Sequence, residues 1–201
     1  SLLLRAALIV CADHELNVSS FTVRCIASAR APLYAAIAGG LAALSGARHG
    51  AASLQVESLL AEIQRDGDPR AVIAQRLRRG EDIPGFGHRL YPGGDPRATL
   101  LLDLLTETLP DTPAVQLGQA TVAAASELTG RHANLEMGLV TLTEALDLPP
   151  GTALTLMALG RTLGWIAHAI EEYDRDTLIR PRARYVGTNP SPTPPLKREG
   201  L

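Results

Sequence analysis

Histidine is the residue of this sequence best suited to acid, base or electrophilic chemistry. His168 lies inside a long apolar helical pattern, where a packed or hydrogen-bonded histidine is more common than a catalytic one. An active site gathers such groups from separate parts of the chain. The candidates are therefore the four histidines at segment edges or in loops, which are His14, His49, His88 and His132.

Arginine supplies nearly all of the positive charge, because Lys197 is the single lysine among 19 basic residues. Arg161 lies among apolar residues of a predicted helix, where an unpaired charge would be costly. It therefore has either a buried acidic partner or an anion to bind. Guanidinium groups bind carboxylates in a bidentate fork, so converging arginines favour a di- or tricarboxylate ligand. Arg97 and Arg180 lie beside loops and are further candidates.

Other kinds of site leave no recognisable pattern in the sequence. No two histidines stand four residues apart and no paired-cysteine motif occurs, so no metal site is predicted. Nucleophile-elbow, dinucleotide and Walker motifs are absent as well. Cys11 and Cys25 are too few for a disulfide framework in this length of chain and are interpreted as free thiols. A net charge of −2 argues against nucleic-acid binding.

Composition and capping signals predict an all-α fold. Aromatic residues make up 3% of the chain, whereas Ala and Leu, the strong helix formers, are abundant. An acidic or hydroxyl residue followed by proline marks helix starts near residues 68, 95 and 112. The predicted helices include 51–65, 69–79, 96–109, 113–129, 139–146 and 152–173. Residues 81–94 are predicted to form an irregular loop, and the proline-rich tail after Gly187 a mobile terminus.

Two apolar stretches were candidates for targeting or membrane segments. The run from Leu2 to Val10 lacks a basic start and is followed at once by acidic residues, so no signal peptide is predicted. Residues 31–47 are uncharged, but they are mostly small and fewer than the roughly 20 residues that a spanning helix needs. They are predicted to form a buried, closely packed helix, and the protein is predicted to be cytoplasmic without membrane contact.

Six motifs, in order and at approximate spacing, resemble the citrate synthase family of citrate and 2-methylcitrate synthases. The resemblance extends over residues 9–187, and Gly-Phe-Gly-His-Arg followed by Asp-Pro-Arg is its most specific part. The motifs are ADHELN (12–17), GARHG (46–50), PGFGHRLY (84–91), DPRA (95–98), GRTLGW (160–165) and IRPR (179–182).

The resemblance implies an all-α fold with a large domain, an inserted small domain, and a homodimer with active sites near the cleft and the interface. Residues 52–141 would form the small domain, and residues 1–51 and 142–201 the C-terminal part of the large domain. Full-length members of the family are close to twice this length. The chain, which begins at Ser1, is therefore expected to be a fragment without the N-terminal half of the large domain.

The resemblance also assigns roles to individual residues. His49 would donate a hydrogen bond to the thioester carbonyl of acetyl-CoA, and His88 would polarise the ketone of oxaloacetate. Because a thioester methyl group is a weak carbon acid, a carboxylate base works only if the enolate is stabilised at once. Hydrolysis of the citryl thioester then makes the reaction irreversible, and no cofactor beyond the acyl-CoA substrate is implied. The substrate carboxylates would be held by His14, Arg97, Arg161 and, from across the dimer, Arg180.

The position of the base departs from the family pattern. Without a gap, the motif Asn-Val-Asp-x-x-Ser-Gly falls on residues 134–140 and places Glu136 where Asp is expected. Glu is one methylene longer, and a misplacement of about 1 Å can lower a rate about 10²-fold. The sequence therefore predicts an acyltransferase that condenses an acyl-CoA with oxaloacetate or a related 2-oxo acid, with Glu136 as base. The alternative is a catalytically weak carboxylate and CoA sensor, fused to an N-terminal regulatory DNA-binding domain.

Overall fold

The computed structural model describes residues 2–188, so the predicted mobile terminus lies outside the described residues apart from Thr188. These residues contain no strand, and their only β pairing is an isolated bridge between Phe86 and Ala133. The all-α prediction is confirmed. The helices are α1 (Leu2–Cys11), α2 (Val18–Ser28), α3 (Leu33–Leu44), α4 (Ala52–Asp66), α5 (Pro69–Arg78), α6 (Pro96–Thr108), α7 (Pro113–Thr129), α8 (Leu135–Ala145) and α9 (Thr152–Asp174).

The predicted helix starts at Asp68 and Asp95 are confirmed. Each carboxylate accepts a hydrogen bond from the backbone N–H two residues later, at 2.9 Å for Asp68 and 3.0 Å for Asp95. Gly67 and Gly130 end α4 and α7 in the left-handed conformation, with φ of 83° and 67°. Local side-chain chemistry therefore set these boundaries.

Helix α8 begins at Leu135, four residues before its predicted start at 139, and this difference places Glu136 in its first turn. The Asn134 side chain makes no capping hydrogen bond to this helix. Instead, the Leu135 N–H donates to Oδ2 of Asp95 at 3.2 Å. A carboxylate 40 residues away thus satisfies a free N–H of the first turn, which no local pattern could reveal.

The helices form two groups that meet along α8 and α9. Helices α1, α2 and α3 pack around α9, whereas α4, α6 and α7 pack around α8. Contacts of α1 with α6 and of α8 with α9 join the groups. The boundary drawn between residues 141 and 142 falls within α8, and the division into a large and a small domain stays a prediction.

Small residues allow the first group to pack closely. In α3, Gly39 lies against the Ile26 side chain and Gly40 against Val23 and Trp165, so the predicted close packing is confirmed. The predicted burial holds for one face only, because Tyr34 and Leu41 on the same helix are exposed. Within residues 2–188, α9 is the one helix long and apolar enough to cross a membrane by those two criteria alone. It packs against five other helices of the first and second groups and buries Trp165, as a core helix does.

The C-terminal end of α1 and the residues that follow it lie directly against α9. The Gly164 N–H donates to the Ala12 carbonyl oxygen at 3.0 Å, and a Cβ added at Gly164 would lie 2.2 Å from that oxygen. One turn earlier, a Cβ added at Gly160 would lie 2.7 Å from the Cβ of Cys11. Glycine at these two positions therefore permits the close approach that places the segment carrying His14.

We predict that Gly164→Ala destabilises the protein by about 1–3 kcal/mol, because a methyl group against a backbone oxygen forces α9 and residues 11–13 apart. The clash outweighs the gain in helix propensity of up to about 1 kcal/mol that alanine brings. Chemical denaturation of the intact protein measures the change. Gly93→Ala is the control, because a Cβ there meets nothing within 4 Å. Equal stability of the two variants would contradict the close approach.

Candidate active site

The loop that carries His88 is fastened to the start of α8. The Gly87 N–H donates to the His132 carbonyl at 2.8 Å, and the Asn134 N–H donates to the Gly85 carbonyl at 2.9 Å. Gly85 and Gly87 have φ of 88° and 82°, a region that favours glycine. The Gly-Phe-Gly sequence thus provides the backbone conformation that brings His88 close to the segment carrying Glu136.

Asp95 joins Arg97 to the same region. The Arg97 Nε and Nη2 atoms donate to its two carboxylate oxygens at 2.9 and 2.7 Å, and the Asp95 side chain is fully buried. Burial alone would raise the pKa of Asp95, but the hydrogen bonds and charge of Arg97 outweigh it and lower that pKa. Asp95 was predicted to begin a helix but not to belong to the site. An Asp and an Arg two residues apart across a proline could have indicated this pair.

His14 and His88 lie side by side, with ring centroids 5.3 Å apart in an edge-to-face arrangement. The Leu90 N–H donates to Nδ1 of His88 at 3.2 Å, so a neutral His88 carries its proton on Nε2. Burial, followed by the charge of Arg97, lowers the pKa of His88. At neutral pH His88 therefore offers a neutral Nε2–H donor, which is suited to polarise a carbonyl group.

Arg161 is a buried cation without an acidic partner. The residue is 3% exposed, and its Nε donates to the Cys11 carbonyl at 2.8 Å. Among residues 2–188 no carboxylate forms an ion pair with it, and burial lowers the pKa of its guanidinium. The carboxylates of Asp13 and Glu136 lie within electrostatic reach of Arg161, and its role in binding an anion stays a prediction.

His49 lies in the turn between α3 and α4, where its Nε2 is 2.8 Å from the Ser19 hydroxyl. That hydroxyl donates to Oδ1 of Asn17 at 2.7 Å and accepts a hydrogen bond from Trp165 Nε1 at 3.2 Å. Ser19 has one proton to donate. Since that proton goes to Asn17, a neutral His49 donates to Ser19 from Nε2, and its Nδ1 is left as an acceptor. Burial and the charge of Arg161 lower the pKa of His49, which keeps the ring neutral.

Glu136 is half-buried in the first turn of α8. Burial raises the pKa of its carboxyl group, against the opposing charges of Arg97 and Arg161. A carboxylate with a raised pKa is a stronger base than an ordinary one.

The thiol of Cys11 is not a candidate nucleophile, because burial raises the pKa of Cys11 to about 12.

Six of the seven residues predicted from the sequence are gathered around Arg161, within electrostatic reach of it or of Arg97. Arg180 is not among them. It is exposed on the extended segment after α9, and within residues 2–188 it makes no hydrogen bond or ion pair with the other six. The six are His14, His49, His88, Arg97, Glu136 and Arg161.

The two remaining histidines have structural positions. The backbone carbonyl of His132 holds the Gly87 N–H, while its side chain is exposed. The interpretation of His168 as a hydrogen-bonded residue is confirmed, since Nδ1 lies 2.8 Å from Nη1 of Arg24 and Nε2 lies 3.3 Å from Oδ1 of Asp13. In the described part of the chain, no group of three or more metal-ligating side chains is placed to hold a metal ion.

The fold and the site together define an all-α protein in which histidines, a carboxylate and a buried arginine lie close together. Comparison with known families identifies this class of protein more specifically. The family described as "Citrate synthase, C-terminal domain" matches residues 1–182. The chain belongs to the citrate synthase family, as its motifs predicted.

Relatives and solved structures agree with this assignment. "Putative citrate synthase 2" of Mycobacterium tuberculosis is 39% identical over 186 residues, which are 89% of this chain and 49% of the relative. The crystal structure of citrate synthase from Thermotoga maritima has a TM-score of 0.81 at 33% identity, covering 99% of this chain and 56% of its own.

A third likeness is to citrate synthase from Thermoplasma acidophilum in a ternary complex with carboxymethyl coenzyme A and oxaloacetate. The two structures have a TM-score of 0.80 at 28% identity, and the matched region covers 96% of this chain and 54% of the Thermoplasma acidophilum chain. This chain therefore spans about half the length of the relatives it matches.

The lowered pKa values of three histidines predict that the protein loses stability in mild acid. The folded protein lowers the pKa of His14, His49 and His88, so the unfolded state binds more protons below their ordinary value of 6.5. The melting temperature should fall as the pH decreases from about 7.5 to about 5.5, and it should fall less for His49→Gln. Thermal unfolding of the intact protein measures both. Equal losses in the two proteins would show that His49 is not held neutral.

Proposed function

We propose that the intact protein condenses an acyl-CoA with oxaloacetate or a related 2-oxo acid and hydrolyses the resulting thioester. The observation that carries the proposal is the buried Arg161 guanidinium, which donates to a backbone carbonyl and forms no ion pair with a carboxylate of the described residues. Membership of the citrate synthase family supports the reaction type. A dianionic 2-oxo acid matches the charge and hydrogen-bonding needs of the site.

The 2-oxo acid would bind through its carboxylates and its ketone oxygen. Arg161 forms no ion pair among the described residues, although Asp13 and Glu136 lie within electrostatic reach of it, whereas two nitrogens of Arg97 are already bonded to Asp95. Arg97 therefore contributes directed N–H donors and little net charge. The Nε2–H of His88 would donate to the ketone oxygen, since its other ring nitrogen accepts from Leu90.

The condensation would begin when the Glu136 carboxylate removes a proton from the carbon next to the thioester. The electron pair of the broken C–H bond forms an enolate. Its oxygen would accept a hydrogen bond from Nδ1 of His49 once the Ser19 hydroxyl turns from Asn17 to His49 and the ring proton lies on Nδ1. The enolate carbon bonds to the ketone carbon, and the ketone oxygen takes up a proton from His88. Water then cleaves the thioester, which releases the thiol of CoA and a tricarboxylate.

Arg180 would complete the site from a second copy of the chain. The residue lies far along the extended segment after α9, which is anchored where the Ile179 N–H donates to Ser28 Oγ at 3.1 Å. Exposed apolar side chains on α1, α2 and α9 support burial against further protein. They are Leu2, Ile9, Val18, Phe21, Leu159, Leu163 and Ile170. A cytoplasmic location is part of the proposal, since Cys11 and Cys25 are free thiols.

The role of Glu136 is tested by thiol release from acetyl-CoA and propionyl-CoA in the presence of oxaloacetate. Glu136→Gln in the intact protein should lower kcat by about 10²-fold or more, because an amide cannot accept the proton. Glu136→Asp restores the carboxylate that the family pattern places here, so it should retain far more activity than the Gln variant.

Two results would count against this scheme. If Glu136→Gln turns over as fast as the wild type, Glu136 is not the base. If the wild type binds oxaloacetate but releases no thiol from either acyl-CoA, the protein is a carboxylate and CoA sensor.

The role of Arg161 is tested by Arg161→Lys, which keeps the charge but removes the planar fork. We expect KM for oxaloacetate to rise by about tenfold or more while KM for the acyl-CoA changes little, since bidentate carboxylate binding needs guanidinium. Arg48→Lys is the matched control, because Arg48 is exposed and outside the site. A rise that is the same for both substrates would contradict a specific carboxylate contact.

A further inference from the structure

Tyr91 contacts three of the site residues and has no role in the scheme above. Its hydroxyl lies 2.9 Å from Nε2 of His14, and its ring centroid lies 5.0 Å from that of His88. The Arg97 guanidinium carbon lies 5.7 Å from the ring centroid, which is within the range of a cation–π contact. Tyr91 is half-buried and ends the same motif that carries His88.

The backbone on either side of Tyr91 is fixed by two turns. The Tyr91 N–H donates to the His88 carbonyl at 3.2 Å, and the Gly94 N–H donates to the Tyr91 carbonyl at 3.0 Å. Across the site, His14 is held in the same way, because the Asn17 side chain donates to its carbonyl at 3.0 Å. The hydrogen bond between Tyr91 and His14 therefore joins two ordered segments rather than two mobile side chains.

Two proton arrangements are open to this hydrogen bond. Burial and the charges of Arg97 and His88 lower the pKa of His14, so the ring is neutral and carries one proton. If Tyr91 donates to Nε2, then His14 keeps a donor on Nδ1. If His14 donates from Nε2, then the Tyr91 O–H is left free. In both arrangements the neutral pair has one donor left over, and the donor can move from one residue to the other.

We propose that Tyr91 and His14 act as a coupled pair that binds one carboxylate of the 2-oxo acid, with the Tyr91 hydroxyl as the direct donor. His14 donates to the phenol oxygen from Nε2, which leaves the Tyr91 O–H directed away from it. A carboxylate favours this arrangement over the reverse one, because a phenol O–H is a more acidic and therefore stronger donor than the N–H of a neutral imidazole. Arg97 against the ring face places the same ligand within reach of a guanidinium. The inference rests on the proposed function, since it concerns the substrate of the same site.

The test is equilibrium binding of oxaloacetate to the intact protein by calorimetry, together with steady-state kinetics. Tyr91→Phe keeps the ring and removes only the hydroxyl. We expect its Kd and KM for oxaloacetate to rise about tenfold, as for loss of a hydrogen bond to a charged group. The KM for acyl-CoA should not change, and kcat should stay within about twofold of the wild type. Tyr34→Phe is the control, because Tyr34 is 78% exposed on α3.

Coupling is tested by adding His14→Gln to Tyr91→Phe. If the two side chains act as one pair, the double variant should bind oxaloacetate little more weakly than the weaker single variant. Effects that multiply would overturn the coupling. A Kd within twofold of the wild type for Tyr91→Phe would overturn the role of Tyr91. An equal rise in KM for both substrates with a lower melting temperature would do the same, since it would show a merely structural role.

The outcomes also separate this inference from the proposed function. A wild type that binds oxaloacetate but releases no thiol would remove the condensation and leave the Tyr91 result to stand on binding alone. A wild type that releases thiol, with unchanged oxaloacetate binding in Tyr91→Phe, would remove only the role of Tyr91. A wild type that does not bind oxaloacetate would overturn both.

Discussion

The burial of Arg161 without an acidic partner is the constraint on which the site depends. A single hydrogen bond to the Cys11 carbonyl offsets only part of the cost of removing this charge from water. The same charge helps to keep His14 and His49 neutral, which leaves them as hydrogen-bond donors rather than cations. The carboxyl group of Glu136 lies within reach of that charge but forms no ion pair with it. A bound dianion would supply the missing partner, so ligand binding and relief of an unfavourable buried charge are one event.

Unlike Arg161, Arg97 has an acidic partner in the site, which is Asp95. Its carboxylate caps α6, pairs with Arg97 and accepts the first N–H of α8, so one buried side chain fixes two helix starts and a guanidinium. Replacement of Asp95 would therefore lower the stability of the fold and disturb the geometry of the site at the same time. One arginine is satisfied by the protein and held in place, whereas the other is left for the ligand.

Backbone contacts set the relative position of the histidines. The bridge between residues 86 and 133 holds the His88 loop, and the contact of Gly164 with Ala12 holds the segment that carries His14. The hydrogen bond from the Leu90 N–H leaves the proton of neutral His88 on Nε2, and the Ser19 hydroxyl, which donates to Asn17, accepts one from Nε2 of His49. Position and protonation of these side chains thus come from neighbours that do no chemistry themselves.

The sequence by itself determined the all-α class, most helix boundaries and the identity of the family, because capping, helix propensity and motif order are local properties of the chain. It also named the six residues that the fold gathers: five from residue type and position, and Glu136 through the family resemblance alone. Tertiary structure alone decided the start of α8, the contacts of Tyr91 with His14 and the separate position of Arg180. Each of these depends on groups distant in sequence or on the course of the backbone between them. A pattern read along the chain carries no such distances, which arise only when the helices pack.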